Sequence, residues 1–300
     1  MASYKKVALL GKGHLGSAVL HGLVEAGFDV SVLSRDVSGL KDLPSGVKAV
    51  QVDYSSEDSI VEALRGHDAA VSTVGFGALI NQEPVIEACI KAGVKRYIPA
   101  DWGTTTTDPD ARSLPINAPF VRVQDLLKEK AAAGQLEWTI FSIGAFLEYV
   151  VDYNFVLDPQ NHSIDLYDGG EHSFSSTRIA TIGKAVASAL KIPEKTKNRN
   201  LFVHDVVLTQ AKVLASAKKY TPGVEWKVTR LNSSEELERA IKDIAANPTE
   251  RKFAYAVLKA SILGGKFRAS YPEVDNELLG LPLLSDEEID KIFAARFQKA

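Results

Sequence analysis

Residues 7–16 read Val7-Ala8-Leu9-Leu10-Gly11-Lys12-Gly13-His14-Leu15-Gly16. A short apolar run ends in a Gly-x-Gly-x-x-Gly loop. Apolar residues then recur at helical spacing (Leu15, Ala18, Val19, Leu23, Ala26) until Gly27 stops the pattern. In a strand, loop, helix order each glycine has its own task. Gly11 permits the tight turn, Gly13 lets a pyrophosphate approach the backbone, and Gly16 lets helix and sheet pack closely. The backbone N–H groups of His14, Leu15 and Gly16 then face phosphate oxygens. The His14 side chain either touches the nucleotide or stands in solvent. From this loop alone a dinucleotide, a flavin and other nucleotides all stay open.

The alternation continues outward. Residues 29–33, 48–53, 69–74, 97–99 and 138–143 read as strands. Between them run helical patterns: one opened by Ser56, one from Pro84 to a stop at Gly93, one over 120–133. Strands separated by single helices imply right-handed crossovers. The spacing therefore predicts an α/β fold over residues 1–150, a Rossmann-type doubly wound parallel sheet. Ligands in such sheets lie beyond the C-terminal strand ends. Those ends here are the glycine loop, Ser34-Arg35, Asp53-Tyr54, Gly75-Phe76, Ala100-Asp101-Trp102-Gly103 and Gly144-Ala145-Phe146.

Residues 151–300 are less regular. Asp168-Gly169-Gly170 predicts a hairpin between 164–167 and Phe174. Residues 179–190 read as a helix, and 201–203 and 226–228 as short strands. Ser233 with Glu236, and Ser285 with Glu288, have capping-box spacing. This mix predicts a smaller α/β substrate-binding region that partly returns to the sheet.

The end of the second strand narrows the ligand. An NAD site places Asp or Glu there to bind the ribose diol. This chain has Ser34-Arg35, which suits a 2′-phosphate, with Lys41 adding charge. NADP(H) is the expected cofactor; Asp36, directly after, keeps NAD open. Composition sets outer bounds. Formal net charge is -3 over 300 residues, so nucleic acid and anionic membranes are not the expected partners. No stretch reaches the ~18 apolar residues of a membrane span, and the cytosol is the expected location. The single cysteine, Cys89, sits in an apolar helical pattern and reads as a buried small hydrophobe. His162, His172 and His204 show no metal-ligand spacing. Thr104 to Thr107 form either a flexible lid or an exposed turn.

Several segments together resemble one family. Val94-Lys95-Arg96-Tyr97-Ile98-Pro99-Ala100-Asp101-Trp102-Gly103 is similar to the VKRF-P-SEFG segment of the NmrA-like and isoflavone-reductase-like group of atypical short-chain dehydrogenases. Gln82 ahead of Ala88 and Gly93, Trp138-Thr139 followed by Gly144-Ala145-Phe146, and Asn276-Glu277-Leu278-Leu279-Gly280 resemble further elements of that group. The resemblance implies an NADPH-dependent reductase of small aromatic or conjugated carbonyl substrates. It brings Gln82 into the cofactor site and Phe146 near the nicotinamide. It also implies a lysine on the helix after the fifth strand, where this chain reads Arg122-Val123-Gln124-Asp125. A guanidinium does not release its proton near neutral pH. Lys128 and Lys130 fall elsewhere on the helix and are expected at the surface.

The cofactor-binding set is thus Gly11, Gly13, His14, Leu15, Gly16, Ser34, Arg35, Gly75, Phe76, Gln82, Ala100 and Phe146. Trp102, Tyr149 and Tyr153 are the expected substrate wall. The catalytic residue is undetermined, with Asp101, Tyr149 and Tyr153 as candidates. Two other readings stand beside the reductase: an NmrA-like dinucleotide-binding regulatory protein without catalysis, and a non-redox lyase or isomerase. Monomer and homodimer are both compatible.

Overall fold

The computed structural model describes residues 4–298, apart from the side chains of Phe76 and Asp152. The first half runs β1 (Lys6–Leu10), α1 (His14–Glu25), β2 (Asp29–Ser34), β3 (Lys48–Gln51), α2 (Glu57–Leu64), β4 (Ala69–Ser72), α3 (Phe76–Leu79), α4 (Glu83–Ala92), β5 (Arg96–Ile98), α5 (Ala118–Ala132) and β6 (Glu137–Ser142). The second half runs β7 (Ala145–Phe146), α6 (Leu147–Asp152), β8 (Ser163–Tyr167), β9 (Ser173–Thr177), α7 (Ile179–Lys191), α8 (Pro193–Thr196), β10 (Arg199–Phe202), β11 (Val206–Thr209), α9 (Gln210–Tyr220), β12 (Lys227–Leu231), α10 (Ser233–Ala246), α11 (Arg251–Leu263), α12 (Asn276–Leu279) and α13 (Asp286–Phe297).

The main sheet has the order β10-β6-β5-β4-β1-β2-β3, and every neighbouring pair is parallel. Strand order reverses between β1 and β4, which opens a crevice at their C-terminal ends. Both faces are covered, so β1 is apolar and buried from Val7 to Leu10. Val7 and Leu9 pack with Leu20, Leu23, Ile182 and Val186 of α1 and α7. Ala8 and Leu10 pack with residues of α2, α4 and α5, Cys89 among them. Burial pushes the Cys89 thiol pKa far up, as expected for a core residue.

Helices α1 and α7 approach through glycines. A Cβ on Gly22 would run into the Gly183 carbonyl, and a Cβ on Gly183 into that of Ala18. This close crossing ties the second half of the chain to the helix that begins at the phosphate loop. Within the second half, the Asn276 element is held to the segment just past β10. Its Oδ1 accepts from His204 N at 3.2 Å and its Nδ2 donates to His204 O at 2.8 Å. Gly280 ends that short helix in the left-handed region, φ 67°.

The second half departs from expectation in two places. β8 and β9 do not form a hairpin: β8 pairs in parallel with β12, and β9 pairs with β11 and β7. The intervening turn is held elsewhere, because the Asp168 carboxylate accepts both the N–H and the hydroxyl of Ser233. Ser233 is consequently not the cap of α10. Asn232 is, with Oδ1 accepting from Ser234 N and Glu235 N. The Ser285–Glu288 capping box forms as its spacing predicts. Among the described residues no helix is long and apolar enough to cross a membrane, and no cluster of His, Cys, Asp or Glu could hold a metal.

Candidate cofactor and substrate cleft

The phosphate loop has the shape its glycines require. Gly11 has φ +90°, and a Cβ on Gly16 would meet the Gly11 carbonyl and Thr73 Oγ1. Thr73, just past β4, donates its hydroxyl to Gly11 O at 2.8 Å and locks the two strand ends together. Open space lies beside the Gly13 Cα. Gly13 caps α1 without a side-chain bond, and the first turn holds no acidic residue. The first-turn N–H groups at His14, Leu15 and Gly16 therefore remain available, at the positive end of a twelve-residue helix. The cradle suits a pyrophosphate.

At the end of β2, Arg35 is exposed. Ser34 turns its hydroxyl back onto its own loop, donating to Asp36 O at 2.8 Å and accepting from Asp36 N at 3.2 Å. Asp36 is engaged too: Oδ1 accepts from Ser38 N at 2.8 Å and Ser38 Oγ at 2.6 Å. Those bonds hold its carboxyl below the usual range. Lys12, absent from the expected set, reaches across to donate from Nζ to Lys41 O at 2.9 Å.

Past β4, Gly75 caps the short α3; the Phe76 side chain lies outside the described residues. Gln82 is 1% exposed, and its amide is fully used within the protein. Its Oε1 accepts from Ala100 N at 2.8 Å and Tyr97 Oη at 3.1 Å; its Nε2 donates to Leu79 O at 3.2 Å and Ala100 O at 3.5 Å. Gln82 pins the loop after α3 to Ala100 at the end of β5.

Asp101 is 1% exposed. One oxygen accepts from Thr106 Oγ1 at 2.6 Å and the other from Gln124 Nε2 at 2.8 Å. Burial pushes its carboxyl pKa up, against the lowering effect of these bonds and of Gly103. The threonine loop is neither lid nor exposed turn. Thr104, Thr105 and Thr106 are buried, and Tyr271 Oη donates to Thr104 O at 2.8 Å. On α5, Val123 and Gln124 face inward. Arg122 reaches Glu83 at 3.5 Å, Asp125 pairs with Arg112, and Lys128 and Lys130 pair with Asp125 and Glu87.

The expected aromatic wall divides. Trp102 stacks on Phe141 at 5.7 Å and donates Nε1 to Ser72 O at 3.1 Å. The others form a ledge from the end of β7 along α6. Ring centroids are 5.4 Å apart for Phe146–Tyr149, 4.7 Å for Tyr149–Tyr153 and 6.4 Å for His14–Tyr149. Tyr149 and Tyr153 are 39% and 55% exposed, and neither hydroxyl has a partner among the described residues. By contrast Tyr4, Tyr97 and Tyr271 all have their hydroxyls engaged.

Residues 11–193 match the model of a family described as NAD(P)H-binding. The chain belongs to this NAD(P)H-binding family. It is 36% identical over 296 residues to "Oxidoreductase aprR" of Aspergillus flavus, covering 95% of this chain and 97% of that protein. In fold it is similar to the crystal structure of an isoflavone reductase, with TM-score 0.77, 20% identity, and coverage of 97% and 100% of the two chains. It is also similar to a structure described as "AtPrR2 with NADP+ and (+)pinoresinol", with TM-score 0.72, 21% identity and 99% coverage of both. The cofactor that the cradle fits is a nicotinamide dinucleotide, and the chain is an NAD(P)-dependent oxidoreductase.

Proposed function

We propose that this chain is an NADPH-dependent reductase of a small aromatic or conjugated carbonyl compound, acting in the cytosol. The observation that carries the reading is the ledge of half-buried Phe146 and exposed Tyr149 and Tyr153 beside the uncapped start of α1. It offers aryl stacking surface next to the place where a dinucleotide's phosphates are held. When bound, NADPH supplies the hydride and both electrons. The protein's own residues bind and orient. The glycine loop holds the pyrophosphate, Arg35 reads the 2′-phosphate, and the ledge positions the acceptor ring. Gln82 and Asp101 act as positioning residues: one fixes the loop after α3, the other fixes Gln124 and the threonine loop.

The proton donor in this reading is Tyr149. Its hydroxyl is unengaged and its ring lies between Phe146 and His14. Asp101 is disfavoured because both its oxygens already accept hydrogen bonds away from solvent. A second reading, a dinucleotide-binding regulatory protein, has one observation in its favour: α5 turns no amine toward the cleft at residues 122–125.

Purified protein incubated with NADPH and a panel of aryl aldehydes, aryl ketones and aryl enones separates the readings. NADPH loss matched by reduced product is expected. Tight NADPH binding with no turnover on any acceptor supports the regulatory protein, and product without NADPH loss supports a lyase or isomerase.

A further inference from the structure

We propose that Lys12 is a nucleotide-selecting residue, its ammonium completing with Arg35 and Lys41 a three-cation site for the 2′-phosphate of the nucleotide. The proposal rests on the NADP(H) reading above and assigns a role to a residue outside the glycine framework. The second position of a Gly-x-Gly loop carries no requirement for charge, because the loop binds phosphate through backbone N–H groups. The Lys12 side chain leaves that loop altogether. Its Nζ donates to Lys41 O at 2.9 Å, in the turn that follows β2. The two strand ends already lie side by side, with Gly11 N donating to Leu33 O at 3.3 Å. The Lys12 stem thus spans from the phosphate loop to the loop that follows β2, on the side of the cleft where the adenosine ribose of a dinucleotide sits.

The electrostatics of that corner agree. An ammonium has three donors, and Lys41 O takes one. Among the described residues none of Lys12, Arg35 and Lys41 is neutralised by an ion pair. Asp36, the carboxylate that follows Arg35, is bound by Ser38 N and Ser38 Oγ inside its own turn. A Lys12 ammonium that reaches the loop after β2, exposed Arg35 directly past that strand, and an adjacent acid held in its own turn suit a dianionic phosphate better than a ribose diol.

Binding of 2′,5′-ADP and of 5′-AMP, measured by titration calorimetry, tests the assignment without turnover. These probes differ by the 2′-phosphate. Lys12→Met is expected to weaken 2′,5′-ADP about tenfold and to leave 5′-AMP within about twofold. Lys12→Arg is expected to recover most of the loss, and added salt to shrink the parent's preference for 2′,5′-ADP. An undiminished preference in Lys12→Met overturns the proposal. Equal weakening of both probes also overturns it, making Lys12 a brace of the loop. A parent chain with no preference for 2′,5′-ADP overturns the NADP(H) reading and this role with it.

Discussion

Arg35 ends β2 exposed and without an ion-pair partner among the described residues. Arg35→Ala is therefore expected to weaken NADPH roughly tenfold and NADH by less than about twofold, measured by nucleotide fluorescence. Equal losses would remove Arg35 from the 2′-phosphate site. Tyr149→Phe keeps the ring that touches Phe146, His14 and Tyr153 and deletes only the hydroxyl. A fall in kcat of about 100-fold, with KM within about threefold, is expected for a lost proton donor. An unchanged kcat would exclude the role. At this scale the glycines were readable because a loop that needs positive φ and close approach tolerates little else. Lys12 was not, since spacing does not say where a long flexible side chain ends. Gln82 was expected at the cofactor, but its four hydrogen bonds to the protein were invisible to a one-dimensional reading.

The helix pair α1 and α7 links cofactor loop and second half through Gly22 and Gly183. Gly183→Ala inserts a methyl against the Ala18 carbonyl and is expected to destabilise by about 2 kcal/mol in urea unfolding. NADPH affinity should fall as well, because α1 carries the phosphate loop. Unchanged stability would mean that the crossing relaxes without cost. In the first half the strands and helices were readable, because every strand but the exposed edge strand β3 is largely buried on both faces, and helical periodicity marks the segments between most of them. The β8 partner was not. It is β12, far along the chain, and the turn residues Asp168-Gly169-Gly170 suit a local reversal equally well. The α10 cap shifted by one residue because Ser233 is drawn to Asp168 and Asn232 takes the capping bonds.

Across the whole molecule, Arg96 joins β5, β6 and α8. It is fully buried and donates to Glu137 Oε2 at 2.7 Å, Thr139 Oγ1 at 2.9 Å and Pro193 O at 3.0 Å, while Tyr4 Oη reaches the same carboxylate at 2.8 Å. Burial raises the Glu137 pKa, but the bonds from Arg96 and Tyr4 outweigh it and hold the carboxyl below its ordinary value. Its stabilisation is thus present above the unfolded value of about 4.3 and is lost as pH falls through the lower folded value. Glu137→Gln should cost ~2 kcal/mol at neutral pH, less than a fully buried pair because the Glu137 side chain is 32% exposed. It should also flatten the acid limb of stability, followed by urea unfolding across pH; an unchanged limb would assign acid sensitivity to other carboxylates. The doubly wound plan and the kind of cofactor were open to sequence reading. The split of the aromatic wall, with Trp102 on Phe141 and Tyr149 and Tyr153 in solvent, depends on packing between distant segments and was not. The central claim is that the dinucleotide held at Gly11–Gly16 reduces a compound seated on that ledge. It is tested most directly by mixing the protein with NADPH labelled with deuterium at C4 and an aryl enone or aldehyde, and locating the label. Transfer of one deuterium to the acceptor carbon, with NADPH loss equal to product, is predicted; NADPH bound tightly but unconsumed, or product free of label from either face of C4, would contradict it.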